Sequence, residues 1–187
     1  MRYPFAIPLL LIVAPPALRA QAVPSPAPDS VYVPRRAMPK GREVVAYIIG
    51  ASWCVPSNQP AFLEAARRAT LLLSRQARAA GAAFSAAGVA LDWDPARGVA
   101  YLGKLGPLDE VTAGRNWVNT VAVDLIWRDP NGQAATPQVV LVERTVDLAE
   151  RRIGVSPTRV LARLVGPEAI TAWVARGAPV PEPTVTR

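Results

Sequence analysis

The chain has 187 residues, 51% of them hydrophobic, with a single cysteine, no histidine and a formal charge of +7. Such a length suits one domain with appendages, and the apolar content is enough for a core. The lack of histidine excludes Ser-His-Asp and Cys-His catalysis, and a lone cysteine excludes any intramolecular disulfide.

The basic residues are scattered and nearly all arginine. Their densest cluster, Arg35, Arg36, Lys40 and Arg42, reads as a solvated linker rather than a phosphate or lipid contact. Without aromatic-basic interleaving or a nucleic-acid module, no nucleic-acid partner is expected. No metal-ligand spacing occurs. Gly98, Gly103 and Gly106 do not form a phosphate loop, so no cofactor is expected.

The N-terminus reads as an export signal over residues 1–20. Arg2 supplies the positive region, Phe5 to Val13 the apolar region, and Ala20 and Ala22 the small residues around a cut after Ala20. The apolar stretch is short for a membrane span, and its prolines disfavour a helix. The chain is therefore expected in a bacterial periplasm or outside the cell, with no stable transmembrane segment after cleavage. Residues 21–40 hold five prolines and read as a flexible tether.

Glu43 to Ile49 is an apolar, β-branched run expected as a buried strand. From Pro60, the residues Phe62, Ala65, Ala66, Ala69, Leu72, Leu73 and Gln76 recur at helical spacing, and Gly81 marks the stop. Ala83 to Trp93 is a second strand candidate. Asp94-Pro95 looks like an N-cap and first helical position, with Val99, Leu102 and Leu105 as the inner face. Gly106-Pro107 ends that helix. Asp109 to Trp127 is expected to hold one or two further helices, with Asp109-Glu110 as a solvated start. Trp117 to Val123 fits helix or strand. Asp129-Pro130-Asn131-Gly132 is a turn signal.

Gln138 to Val142 is a clear strand, and Val146 to Val155 its expected antiparallel partner. Ser156-Pro157 and Gly166-Pro167-Glu168 read as helix entries. Ile170, Trp173 and Val174 give the last helix its apolar face, and a loose tail begins at Pro179. The first two strands, joined by a helix, imply a parallel crossover. The fold class is therefore α/β, a mixed central sheet flanked by helices.

The stretch Trp53-Cys54-Val55-Pro56-Ser57 follows the first strand, and Thr136-Pro137 directly precedes Gln138 to Val142. This arrangement resembles the thioredoxin family over about residues 41 to 176, within a domain of residues 41–178. The resemblance implies a thioredoxin-like fold, a cis-proline at Pro137 packed against Cys54, and a helical insertion at about 94–135. It assigns Cys54 and Ser57 to catalysis, and Trp53, Pro56, Thr136 and Pro137 to substrate binding. Ser57 stands where the family has a second cysteine. Ile48 stands where many members keep a buried acid.

A cysteine before a helix N-terminus is favoured as thiolate, and Ser57 could donate a hydrogen bond to it. A lone thiolate attacks a disulfide but cannot resolve the adduct by itself. The expected function is thus thiol-disulfide exchange or shuffling with a cysteine-containing client or a small thiol. The alternative is a redox-inactive binding scaffold. A peroxide-reducing cysteine is a weaker third reading, since no arginine is singled out by its spacing. Asp92-Trp93-Asp94, at a strand end, reads as capping for the next helix.

Overall fold

A computed structural model describes residues 39–149 and 152–181. The proposed signal, almost all of the tether and most of the tail lie outside the described residues. The strands are β1 (Gly41–Gly50), β2 (Ala83–Ala90), β3 (Glu110–Ala113), β4 (Gln138–Ala149), β5 (Arg152–Val155) and β6 (Arg159–Val165). The α-helices are α1 (Pro60–Ala79), α2 (Pro95–Leu102), α3 (Thr120–Ala122, a single turn) and α4 (Pro167–Ala175). They form an α/β structure around one mixed sheet of order β3-β2-β1-β4-β5.

β1 is central because its neighbours cover both of its faces and both of its edges. It runs parallel to β2, with Glu43 opposite Ala83 and Gly50 opposite Ala90. It runs antiparallel to β4, with Ile49 opposite Gln138. A strand buried on both faces reads as a continuous apolar run rather than an alternation, which is what Val44 to Ile49 shows. Ala46 and Ile48 enter the core beneath α1, α2 and α4, while Val45 and Ile49 enter a second core closed by Ala122, Leu125 and Ile126.

Helix α1 buries Phe62, Ala65, Ala66, Ala69, Leu73 and Ala77, with Pro60 in its first turn. Small alanines on that stripe let the helix lie close to the sheet. Gly81 follows the helix with φ +67°, a conformation that glycine adopts without steric cost. Asp94 caps α2 by accepting from the Ala96 N–H at 2.9 Å.

Several expectations change. The inner face of α2 is Gly98, Tyr101 and Leu102, extended by Leu105, while Val99 is exposed. The helix register is therefore set by Tyr101, not by Val99. Asp109 does not begin a helix. Its N–H donates to the Ala86 carbonyl and its carboxylate accepts from the Ala86 N–H, both at 2.8 Å, and β3 starts there as a parallel edge beside β2. The stretch 94–135 is thus not wholly helical. It holds α2, β3, a 3-10 turn at Asn116–Val118, α3 and a π-helical turn at Val123–Trp127.

The strand read as Gln138 to Val142 runs on to Ala149, and only Arg152 to Val155 folds back on it. Ser156-Pro157 leads into β6, not a helix. β6 pairs antiparallel with Gln138 to Glu143 of β4, with a bulge at Leu141/Val142. The Gly166-Pro167 entry does open α4, which buries Ile170, Trp173 and Val174. None of the helices among the described residues is long and apolar enough to cross a membrane.

Candidate functional site

The loop that follows β1 is held by side chains that leave few backbone groups unpaired. The Asn58 amide donates to the carbonyls of Ala51 (3.1 Å), Ser52 (3.1 Å) and Cys54 (2.9 Å), and its oxygen accepts from Lys104 Nζ at 2.9 Å. Asp92, at the end of β2, accepts from the Ser52 N–H at 3.1 Å and from the Ser52 hydroxyl. That carboxylate is only 2% exposed, and burying a charge is tolerable only with such partners. Asp94 caps the next helix, as expected, but Asp92 instead fastens the cysteine loop.

Cys54 itself is 8% exposed and packs with Ile49, Leu91, Ala122 and Leu125. Its Sγ–H donates to the Thr136 carbonyl at 3.4 Å. Pro56 opens a 3-10 turn, Pro56–Asn58, and α1 begins only at Pro60. Trp53 is half-exposed, with its indole N–H donating to the Leu91 carbonyl at 2.9 Å. Val55 and Trp93 beside it are largely exposed.

Thr136 lies across the sulfur, and the Thr136–Pro137 peptide is cis. Ser57, fully buried, pairs with the Thr136 hydroxyl at 3.1 Å. The Thr136 hydroxyl donates in turn to the Ile49 carbonyl at 3.4 Å. A hydroxyl has one proton to give, so the Ser57 proton is directed at Thr136. The Ser57 proton is therefore turned to Thr136 and not, as expected, to the Cys54 sulfur. The fold brings Cys54 and Ser57 each against Thr136, sets Trp53 and Pro56 on the same loop, and buries Pro137.

The strand leading from Thr136 is anchored as well. Gln138 is fully buried, and its amide donates to the Gln133 and Ala135 carbonyls. Its oxygen accepts from Arg163 at 3.0 Å. Arg163 also donates to the Leu125 carbonyl and to Asp129, each at 2.7 Å. The Asn131 N–H and the Arg163 guanidinium hold the Asp129 carboxyl below its usual range against some burial. This cluster borders a cavity of about 540 Å³ between the Asp129 turn and β6.

Beneath the loop, Tyr101 is 1% exposed, and its hydroxyl has no hydrogen-bond partner. It occupies the space a side chain on Gly50 would need, 2.0 Å from where a Cβ would sit. Burial pushes its ionisation well up, tempered by the Ser57 hydroxyl beside it. Asn58, Asp92 and Tyr101 carry no motif of their own. The one available signal for Tyr101 was its helical spacing with Gly98 and Leu105.

Among the described residues, no group of three His, Cys, Asp or Glu side chains is placed to hold a metal ion. The arrangement offers one thiol, set among apolar side chains and against the Thr136 carbonyl, with the paired Ser57 and Thr136 hydroxyls beside that segment. Compared with known proteins, the chain matches no family model, no curated protein and no solved structure.

Proposed function

We propose that this chain is an exported, thioredoxin-like monothiol protein that exchanges disulfides through Cys54. The observation that carries the reading is the convergence of Cys54, Ser57 and Thr136 from two distant parts of the chain. In the reaction, the Cys54 thiolate attacks a client or small-molecule disulfide. A Cys54–S–S–R bond forms, the substrate S–S bond breaks, and the released thiolate takes up a proton. With Ser57 in place of a second thiol, the adduct waits for an external thiol, which regenerates Cys54 and forms the new disulfide. The partners are therefore cysteine-containing clients or small thiols.

The test is mass spectrometry of the mature chain after incubation with oxidised glutathione. A single adduct on Cys54, stable alone and removed by added thiol, is expected. No adduct on the folded chain, with ready reaction of the unfolded chain, would sink the reading.

A second reading, a redox-inactive binding scaffold, is favoured by one observation. The thiol is largely buried and donates to a carbonyl, while Trp53, Val55 and Trp93 beside it face solvent. Under that reading the exposed aromatics, not the sulfur, contact the partner.

A further inference from the structure

We propose that Arg163 is the positioning residue of the Cys54 site. Its buried guanidinium fixes the Thr136 segment, through Gln138, and the Leu125 turn directly, and so holds the two segments that lie beside the sulfur. The proposal rests on the reading of Cys54 as a reactive thiol.

Arg163 occupies a position that an apolar side chain would fill. It lies on β6 opposite Val140, which is fully buried, and its own side chain is 9% exposed. Its Nε has no hydrogen-bond partner. A buried cation with an idle donor costs stability, and an apolar residue of similar volume would avoid that cost. What an apolar residue could not do is bind oxygens from three segments at once. The guanidinium donates to the Leu125 carbonyl and to the Asp129 carboxylate, each at 2.7 Å, and to the Gln138 side-chain oxygen at 3.0 Å. These partners lie 38, 34 and 25 positions away along the chain. A planar fork with several donors suits such a junction, where a lysine would offer a point charge.

Two of the three partners lead to the sulfur. Gln138 begins β4, where pairing with β1 and β6 holds its backbone. Residues 133–136 precede that ladder. Gln138 reaches back to hold them, donating to the Gln133 carbonyl at 2.5 Å and to the Ala135 carbonyl. Thr136 comes next, and its carbonyl accepts from the Cys54 S–H at 3.4 Å. Each step from Arg163 to the sulfur is thus a hydrogen bond or a peptide bond. On the other side, Leu125 belongs to the apolar cluster that contains Cys54, and its carbonyl is the one that Arg163 binds. The third partner, Asp129, balances the guanidinium charge.

The test is infrared spectroscopy of the reduced full chain in the S–H stretching region, where the single cysteine gives a single band. The band position reports whether the thiol donates to a carbonyl. Gln138→Met keeps the length of the side chain and loses the amide. Arg163→Lys keeps a charge for Asp129 and loses the fork, and Arg163→Met loses both. Arg144→Met, at the other end of β1, is the control for lost stability alone. In the Gln138 and Arg163 variants the band should move toward the position of an unbonded thiol, and in Arg144→Met it should stay. Alkylation of Cys54 should quicken in Gln138→Met and further in Arg163→Met, which also releases Leu125. A band that stays in folded Arg163→Lys and Gln138→Met chains would overturn the proposal. So would an equal movement in Arg144→Met, or a movement in Gln138→Met with none in either Arg163 variant. The band is read without any disulfide, so a missing glutathione adduct would count against exchange and leave this test standing.

Discussion

The two ends of β1 solve the problem of buried polar groups in opposite ways. At its start, Glu43 is 1% exposed and its carboxylate is met by Arg144 at 2.6 Å and the Ser85 hydroxyl at 2.5 Å. That end is ionic and fully paired. At its finish, beyond Gly50, the buried Asp92 carboxylate is held by Ser52 and, among the described residues, by no cation, and the buried Ser57 and Tyr101 add hydroxyls. A fixed ion pair holds a single arrangement, whereas a hydroxyl can turn its one proton between acceptors.

The largest effect that would sharpen this contrast is expected from Arg144→Met. It strands the buried Glu43 carboxylate and should cost about 3 kcal/mol, read as a lower denaturant midpoint. The alkylation rate of Cys54 should stay unchanged; a change of tenfold would mean the two ends are not separable. Gly50→Ala comes next. Its methyl would meet the Tyr101 hydroxyl at 2.0 Å, so overpacking should cost roughly 1–3 kcal/mol in thermal unfolding and disturb Cys54 titration too. An unperturbed titration would place Tyr101 outside the site.

Ser52→Ala removes one of the two bonds to Asp92 and should cost about 1.5 kcal/mol. Because it loosens the loop that buries the sulfur, Cys54 alkylation should speed up, and an unchanged rate would contradict the role given to Asp92. The smallest effect lies at the more exposed ion pairs, where Arg159 meets Glu143 near the surface. Arg159 and then Arg42 hold the Glu143 carboxyl below its usual range, as Asn131 and Arg163 do for Asp129. Depressed carboxyls stabilise the fold above their unfolded values, about 4.3 for Glu and 3.9 for Asp. That contribution disappears as pH falls through the folded values. Arg159→Leu should therefore flatten the acid-side loss of stability while leaving neutral-pH Cys54 chemistry alone, as an acid unfolding titration would show.

The legible parts of this chain were those carried by local signals. β1, α1 and the Asp94 cap each announce themselves within a short window; the resemblance put Pro137 against Cys54, and the sulfur's bond is to the Thr136 carbonyl just before it. What escaped depends on partners far along the chain. β3 is four residues long and exists through its register with β2, and β6 through its register with β4. The Val146 to Val155 run concealed a hairpin because Glu150-Arg151-Arg152 interrupts it without a glycine or proline. Asp92 pairs with Ser52 40 positions away, and nothing in Asp92-Trp93-Asp94 distinguishes the residue that caps a helix from the one that holds a loop. Tyr101 was passed over because an aliphatic face was sought on α2, whereas its ring fills the space beneath Gly50.

The most direct single measurement is the pH dependence of Cys54 alkylation in the folded chain beside the same chain unfolded in urea. A reactive site predicts that the folded thiol alkylates faster at neutral and mildly acidic pH, despite its burial. Slower alkylation of the folded chain at every pH would contradict the exchange reading and leave the exposed Trp53 and Trp93 surface as the part that acts.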